Sequence, residues 1–530
     1  MCDRNGPHTG AEICLAAIGA QDMHLLSDDP NRSLFKYNPK RHSNFRKYHR
    51  SHVVNRSDPL TAANQWPLNQ TIKVQYDPRS MGDLLSNMYI KIEIPALPDQ
   101  SAFGGKAYRY SDMLGRHLFK SITMKVDEMT LEKYQDDWGF IHDNLYADLS
   151  EINTRNYSLN RGVNKGFFMG NTHPDLNFDK TKTTLMIPIP FFFSRNYESD
   201  DYETNEPGRP YFPLCAINKQ KLEFIFEFRP DTFFTDASVA PTISSAVYNA
   251  LTEEEKTFYD LIAPGVYKFK LHFNKFEIIT EEITLEPYER MYYTNQEYKM
   301  ITDIFIKHPT VDTAGENNVK LDLVPKNRVK SFHWFFRNTK FEDENEPLGK
   351  LNSGVTITDI VDNLPSTYFQ NRFNMTTRDT YRRNVDSLSD DIMTKAIISI
   401  NGEDLPNSDQ SNDNLYFKNC IPFLHRMSVP VQNIYTYTFS MFPRNVEPSG
   451  SVDFGNMKSN RTYLSCDIDP SIHALSQVYR LNLYYKAYTT FTFKDGYLDV
   501  KGDTLQYGSL NSEMDLAGDG TNAIGCRITY

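Results

Sequence analysis

One short pattern recurs along most of this chain and constrains its fold. Apolar and polar residues alternate over a few positions, and a turn or polar loop follows; the clearest examples are 88–95, 222–228 and 267–273. Alternation with a period of two places one set of side chains on each face of a β-strand. The 35 Phe and 32 Tyr among 530 residues suit half-buried pleated surfaces. The sequence therefore predicts an all-β protein.

Further strands, turns and a few short helices follow from local signals. Two prolines, Pro188 and Pro190, lie in the apolar run 185–193 and favour an edge strand or a bend between sheets. Tight turns are expected at Asn401-Gly402 and at 494–496. Apolar residues spaced three or four apart predict a helix over 136–149, and Thr252 is a candidate helix cap. Additional strands are predicted at 72–76, 118–126, 319–323, 331–336, 397–400, 434–441, 462–468, 478–485 and 488–493.

The strand pattern restarts near residues 285–294, which divides the chain into two sets of similar size. Many short strands in two successive sets predict two β-sandwiches in tandem. We expect an N-terminal arm at 1–52, a first sandwich at 53–288, a second at 289–500 and a C-terminal tail at 501–530. Polar excursions at 231–264 and 338–390 interrupt the two sandwiches.

The predicted arm concentrates basic side chains. Such a run forms a solvated face or contacts an acidic neighbour, an anionic lipid or a nucleic acid. The net charge of −11 argues against a protein that coats DNA with its whole surface, and no motif for reading bases is present. The candidate interaction residues of the arm are Lys36, Lys40, Arg41, His42, Phe45, Arg46, Lys47 and Arg50.

Sequence signals for catalysis or metal binding are weak. The carboxylate pairs Asp136-Asp137 and 200–201 resemble a glycosidase acid/base pair only superficially, because adjacent residues on a strand point to opposite faces; we expect solvated acids. His49 and His52 lack a third ligand at zinc spacing, and the acidic run 342–346 lacks the spacing of a calcium loop. HExxH, GxSxG and Walker motifs are absent from the sequence. We therefore expect no enzyme, no cofactor and no metal.

The six cysteines are scattered and none forms a CxxC pair, which predicts reduced and mostly buried thiols. No apolar run approaches the roughly 18 residues of a membrane span, and the short run 13–18 is not a convincing secretion signal. We expect a protein that is made in the cytosol.

Several motifs together resemble one family, the major capsid proteins of nucleocytoplasmic large DNA viruses (irido-, phyco- and marseillevirus-like). The N-terminal signature of that family is similar to 19–22, 35–36 and 41–45. Its first-domain core is similar to 110–115, Leu118, 121–122 and Trp138, and its proline-aromatic strands are similar to 187–193 with 212–214. Its interdomain segment is similar to Glu289-Arg290. Its second-domain signature is similar to 401–402, 416–417, 435–439 and 447–454. The order and spacing of these motifs, from about residue 19 to 500, make the resemblance specific.

The resemblance implies a double jelly roll: two tandem eight-stranded antiparallel β-sandwiches with long loops and a few short helices. It also implies a homotrimer that forms a pseudo-hexagonal capsomer in the icosahedral shell of a large double-stranded DNA virus, assembled in the host cytoplasm. Neighbouring capsomers, minor capsid proteins and an inner viral membrane are the implied partners, without sequence-specific binding of nucleic acid. The alternatives are a minor capsid or scaffold protein of the same fold, or a carbohydrate-binding β-sandwich.

Overall fold

The structure is a computed structural model that describes residues 44–54, 66–97, 110, 114–147, 183–195, 210–235, 242–273, 275–325, 327–346, 372–373, 375, 391–406, 412–430, 432–454, 461–470 and 478–501. Strands dominate both halves of the described chain. The first half contains β1 (Phe45–Val53), β2 (Trp66–Pro67), β3 (Thr71–Tyr76), β4 (Leu84–Ile94), β5 (Phe119–Val126), β6 (Met129–Gln135), β7 (Thr183–Pro188), β8 (Phe212–Pro213), β9 (Leu222–Phe228), β10 (Thr242–Ser244), β11 (Tyr259–Ala263), β12 (Val266–Phe269), β13 (His272–Phe273) and β14 (Phe276–Leu285).

The second half is equally rich in strands, and short helices connect the strands of both halves. Its strands are β15 (Tyr298–Lys307), β16 (Val311–Asp312), β17 (Asn318–Asp322), β18 (Arg328–Asn338), β19 (Met393–Ile400), β20 (Glu403–Leu405), β21 (Tyr435–Thr438), β22 (Val452–Asp453), β23 (Tyr463–Ile468), β24 (Tyr479–Lys494) and β25 (Tyr497–Lys501). The helices are α1 (Leu114–His117), α2 (Asp136–Leu145), α3 (Asp231–Phe234), α4 (Ser245–Ala250), α5 (Glu253–Lys256), α6 (Pro287–Thr294), α7 (Thr339–Glu342) and, directly after a π-helix at Tyr416–Cys420, α8 (Ile421–Leu424).

The two halves share one strand order. In the first half the main sheets are β1-β14-β4-β7, called sheet 1A, and β3-β9-β5-β6, called sheet 1B. In the second half they are β15-β24-β18-β21, called sheet 2A, and β17-β23-β19-β20, called sheet 2B. If the eight main strands of each half are counted along the chain, both halves read 1-8-3-6 and 2-7-4-5, and all pairings are antiparallel. Each half is therefore an eight-stranded jelly roll, and we call them roll 1 and roll 2.

Alternating burial explains why the sheets pair face to face. Along β9, Leu222, Phe224, Phe226 and Phe228 are buried, while the residues between them are half-buried. Such a strand buries one apolar face against the opposite sheet and leaves the other face more open. Each roll has its own apolar core, and the core of roll 1 extends to Phe305, Phe335 and Tyr484 of roll 2. The predicted pair of tandem sandwiches is confirmed, and the two are packed together.

The predicted N-terminal arm is corrected at its C-terminal end. Residues 45–52 were expected to lie outside the folded body, but Phe45–Val53 is strand β1 at the edge of sheet 1A, paired with β14. The segment can carry basic residues in place of apolar ones because β14 offers Glu281 to Lys47 and Glu282 to Arg50. The expected boundary at 288–289 falls inside α6. Residues 1–43 and 502–530 lie outside the described residues.

Two predicted strands also differ from the structure. The segments 478–485 and 488–493 form one strand, β24, because the polar residue between them, Lys486, is buried and ion-paired instead of marking a turn. The clean alternation over 267–273 is divided between β12 and β13, which belong to different sheets.

Other local predictions are confirmed. Strand β7 is at the edge of its sheet and ends at Pro188. The helix expected over 136–149 is α2, and Thr252 caps α5 in a capping box with Glu255. Both turns have positive φ at the expected residues, Asn401-Gly402 and Asp495-Gly496. None of the helices in the described part of the chain is long and apolar enough to cross a membrane.

Candidate interaction surfaces

A cluster of charged side chains is buried where roll 1 covers the outer face of sheet 2A. Asp303 on β15 accepts from Lys486 (Nζ–Oδ2, 2.9 Å), from Lys330 (Nζ–Oδ2, 3.0 Å) and from Arg195 of roll 1 (Nη1–Oδ1, 3.0 Å). Arg195 also pairs with Glu132 on β6. All five side chains are at most 2% exposed. We call this cluster the joint.

The joint holds its carboxylate in the charged form. Burial by itself favours the neutral acid, but Lys486, Lys330 and Arg195 hold the pKa of Asp303 well below its ordinary value. Burial lowers the pKa of Lys486 and of Lys330, and Asp303 opposes this in both cases. Removing one partner would leave uncompensated charge in a dry interior, which is strongly unfavourable. The cluster therefore constrains how the two rolls are placed.

Helix α2 of roll 1 lies across the same face. Asp137, at its start, accepts from Arg337 on β18 (Nη1–Oδ1, 2.7 Å), and Trp138 stacks on Phe305. Asp137 was expected to be a solvated acid; that expectation is wrong, because the N-terminus of α2 is pressed against roll 2 and Asp137 is buried. Burial raises the pKa of Asp137, but Arg337 and Lys307 outweigh this and lower it to about 2.

The C-terminal end of α2 completes this contact. The Tyr146 hydroxyl and His333 Nε2, on β18, are 2.9 Å apart. Burial lowers the pKa of His333 to about 3, so its ring is neutral near pH 7. The helix therefore reaches across sheet 2A with polar contacts at both ends and an aromatic contact between them.

A third contact fastens the rolls through the end of β24. Phe491 packs on Phe192, and Phe493 packs on Phe212, so this long strand of roll 2 reaches the core of roll 1. The following strand β25 is held there too, because the Leu498 N–H donates to Gln220 Oε1 at 2.6 Å. Three separate contacts thus fix the orientation of the rolls.

Among the described residues, the corresponding face of roll 1 is open. On sheet 1A, Lys47 pairs with Glu281 (Nζ–Oε1, 2.7 Å), and His49 lies 3.4 Å from the same carboxylate. The side chains of Lys47 and His49 are 50% and 59% exposed. Phe45 on β1 and Met186 on β7 are exposed as well. This face thus combines a half-open ion pair with exposed apolar side chains.

The structure describes half of the predicted arm residues; three of these four have contacts within the chain, and Phe45 is exposed. Lys47 contacts Glu281, Arg50 contacts Glu282 and the Ser80 carbonyl, and Arg46 lies over the Tyr48 ring. Of the partners considered for the basic run, an acidic neighbour is present, and it belongs to the same chain. Lys36, Lys40, Arg41 and His42 lie outside the described residues.

Exposed apolar side chains that sequence reasoning did not single out gather on roll 2. Residues 414–424 are helical throughout, and we call them the 414–424 helix; Phe423 is 75% and Leu424 66% exposed. The exposed Met441 lies beside them, because its carbonyl is 3.2 Å from His425 Nδ1. A local signal existed in the Phe423-Leu424 pair, but only the fold shows that it faces outward.

The residues considered for catalysis or metal binding serve other contacts. His49 and His52 lie beside Glu281 and Glu282, and Glu342 is bound by Arg337 and Arg480. Glu344 pairs with Arg229. Within the described ranges, no group of three or more His, Cys, Asp or Glu side chains could hold a metal. The acids at 200–201 lie outside them. Cys215 and Cys466 are buried free thiols, and Cys420 is an exposed one.

Two family models match most of the chain. Residues 33–256 match the model described as major capsid protein N-terminus. Residues 289–497 match the model described as large eukaryotic DNA virus major capsid protein. The first match ends with α5, before β14 of roll 1, and the second begins inside α6 and covers roll 2 as far as the start of β25.

Curated relatives and solved structures agree with these models. The chain is 22% identical over 239 residues to capsid protein 1 of Acanthamoeba polyphaga mimivirus, covering 42% of this chain and 34% of the relative. It is 22% identical over 247 residues to the major capsid protein of Phaeocystis pouchetii virus, covering 42% and 41%. The matches therefore span only about a third to two fifths of these relatives.

The solved structures show the fold. A quasi-atomic model of the PBCV-1 virus capsid has a TM-score of 0.60 at 12% identity, covering 88% of this chain and 99% of that chain. The Faustovirus major capsid protein has a TM-score of 0.54 at 11% identity, covering 91% and 96%. At such low identity the likeness concerns the double jelly roll alone.

Proposed function

Because the chain belongs to the family of large eukaryotic DNA virus major capsid proteins, we propose that it is the building block of an icosahedral virion shell. The family and its structural neighbours are structural capsid proteins and not enzymes. The observation that carries the proposal is the repeated strand order of the two rolls, fastened at a buried joint. A rigid pair of similar rolls suits a repeated building block, because copies of fixed shape tile more regularly than hinged ones.

The unit of assembly is a homotrimer with a pseudo-hexagonal outline. Each chain supplies two rolls of the same strand order, so three chains place six similar rolls around one axis. Head-to-tail contacts between copies close into a ring when the rotation between neighbours closes, and they form filaments when it does not. The buried joint supports closure because it fixes the angle between the two rolls of each chain.

Contacts between capsomers are expected to be smaller and more polar than those within the trimer. Many weak contacts summed over a shell give a stable whole while single errors remain reversible. Neighbouring capsomers, minor capsid proteins and an inner viral membrane are the proposed partners, and assembly takes place in the host cytoplasm. The basic residues Lys36, Lys40, Arg41 and His42, which precede β1, are proposed to face inward.

Electron microscopy and light scattering of the purified full-length chain test the proposal. We expect hexagon-outlined particles and a mass three times that of the 61.4 kDa chain. A folded chain that stays monomeric at the concentration of a shell-forming preparation, and does not enter shells, would overturn the proposal.

A pair of truncations tests the role of the N-terminal segment. Deletion of residues 1–43 keeps β1, so trimers should form while shell assembly is impaired. Deletion of 1–53 also removes β1, so Glu281 and Glu282 on β14 lose Lys47 and Arg50, and the chain should lose stability before it assembles. Shells that form normally from the 1–43 deletion would contradict an inward-facing contact of the basic segment.

A further inference from the structure

In both rolls a helix follows the fifth main strand, and we call these two helices the equivalent helices. In roll 1, a tight turn after β5 leads into β6, and α2 begins directly after β6. In roll 2, the turn at Asn401-Gly402 leads into β20; Asp413 then continues the pairing along β19, and the 414–424 helix follows at once. The two helices therefore follow the same strand in the same topology.

These equivalent helices have different surroundings. Helix α2 is covered by the outer face of sheet 2A, and its Trp138 and the following Tyr146 are buried there against Phe305 and His333. The 414–424 helix buries Phe417 in roll 2, against Trp334. Its C-terminal residues Phe423 and Leu424 remain exposed. In the described part of the chain, α2 thus packs on a sheet face, whereas Phe423 and Leu424 of the 414–424 helix pack on none.

The equivalent sheets show the complementary difference. The outer face of sheet 2A receives α2 and is buried, as Asp303 and Lys486 show. The outer face of sheet 1A leaves Phe45 58% exposed and Lys47 half-exposed. Among the described residues, roll 2 therefore has a helix end that no sheet covers, and roll 1 has a sheet face that no helix covers.

Within the described part of the chain, roll 1 meets roll 2 through Glu132, Arg195 and α2, while Phe423 and Leu424 of the helix and Phe45 of sheet 1A stay exposed. A second copy can supply the missing partner by repeating the contact that joins roll 1 to roll 2. We propose that the 414–424 helix of one copy packs on the outer face of sheet 1A of the next copy, with Phe423 and Leu424 against β1. This rests on the proposed function, since it names the surfaces through which copies associate.

The distribution of charge also favours a second copy as the partner of this sheet face. Strand β20, at the edge that leads into the helix, exposes Glu403 and Asp404. Strand β1, at the edge of the receiving sheet, exposes Arg46 and Lys47. Opposite charges on two edges that approach each other steer association and set its register. A lipid surface or an unrelated protein would explain neither this match nor the internal repeat.

The first experiment measures self-association of the full chain by light scattering and sedimentation. In the double variant F423D/L424D we expect the dissociation constant to rise about 30-fold or more, since two exposed apolar anchors are replaced by charges. The matched control is L261D/I262D, which changes two similarly exposed apolar residues of β11, outside the equivalent helices. The control should associate like the wild type.

The second experiment identifies the receiving face by cross-linking. The accessible or undescribed cysteines Cys2, Cys14, Cys420 and Cys526 are changed to Ser. Chains with Leu424→Cys are then mixed with chains carrying Phe45→Cys. Oxidation should link one chain of each kind, and neither kind alone should form this bond.

The outcomes separate the inference from the proposed function. If the wild type does not self-associate, the proposed function fails and the inference fails with it. If the wild type associates while F423D/L424D associates equally well, or if the mixed cysteine chains give no cross-link, only the inference is overturned. Loss of association in F423D/L424D together with the mixed cross-link supports it.

Discussion

Two ion pairs occupy the same place in the two rolls, and only one of them is buried. In each roll, a residue on the first main strand binds a residue on the eighth main strand. The bound residue lies two positions before the one that is opposite in register. In roll 1, Lys47 is opposite Ile283 and binds Glu281; in roll 2, Asp303 is opposite Tyr488 and binds Lys486. The cation lies on the first main strand in roll 1 and on the eighth in roll 2. The pair in roll 1 is half-exposed at Lys47, and the pair in roll 2 is buried.

One topology thus serves two purposes in this chain. Roll 1 covers the outer face of sheet 2A, and the Asp303–Lys486 pair on that face is part of a network with Arg195 and Lys330. On roll 1 the same face keeps a short ion pair but remains accessible. The contribution of an ion pair to folding stability depends on its burial, because exposed pairs contribute little and buried pairs are costly to break. The joint therefore holds the chain in one shape, and the open face is available to another copy.

Breaking the buried pair should destabilise the chain more than any change at the open face. In Asp303→Asn, three cations lose their shared carboxylate, and we expect the free energy of unfolding to fall by about 3–5 kcal/mol. The matched change at the open face, Glu281→Gln, should cost about 1 kcal/mol or less. Denaturant titration of the unassembled chains measures both. Equal losses in the two variants would contradict the difference in setting.

A smaller effect is expected from acid. The pKa of Asp137 lies at about 2 in the folded chain against an ordinary 3.8, so its ionised form stabilises the fold above about pH 4. That contribution disappears as the pH falls through about 2, and amounts to about 2 kcal/mol. Stability curves of the wild type and Asp137→Asn should therefore converge between pH 4 and 2. A gap that stays constant over that range would show that Asp137 is not held by Arg337 as described.

The smallest effect is expected at the open pair. In Lys47→Met, an exposed cation is lost while Glu281 keeps Ser86 and Asn87 as donors, so the unfolding free energy should change by less than about 1 kcal/mol. Thermal unfolding of the unassembled chain checks this. A loss as large as that of Asp303→Asn would mean that roll 1 depends on this pair for its fold.

Much of the fold could be predicted from local sequence, because most strands alternate. The turn at Asn401-Gly402 and the proline-limited edge strand β7 follow from backbone chemistry that is readable in any context. Strand β1 could not be predicted in this way. Its partners Glu281 and Glu282 are more than two hundred residues away in the chain, so its basic residues looked like a free arm until the pairing with β14 was known.

The joint was harder to predict for a related reason. Asp137 and Lys486 are ordinary surface residues by type, and only the docking of two rolls buries them against Arg337 and Asp303. Their separation along the chain hides each pair from any local pattern. The exposed Phe423 and Leu424 show the reverse case: apolar residues usually indicate a core, and their place outside it depends on which face of roll 2 remains uncovered.

The most direct test of the repeated contact is electron cryo-microscopy of the purified oligomer at a resolution that shows side chains. We predict that the 414–424 helix of one copy lies across sheet 1A of its neighbour, with Leu424 near Phe45 and the Lys47–Glu281 pair enclosed, as α2 encloses the Asp303–Lys486 pair within each chain. An oligomer in which the outer face of sheet 1A faces solvent and Phe423 contacts nothing would contradict the account.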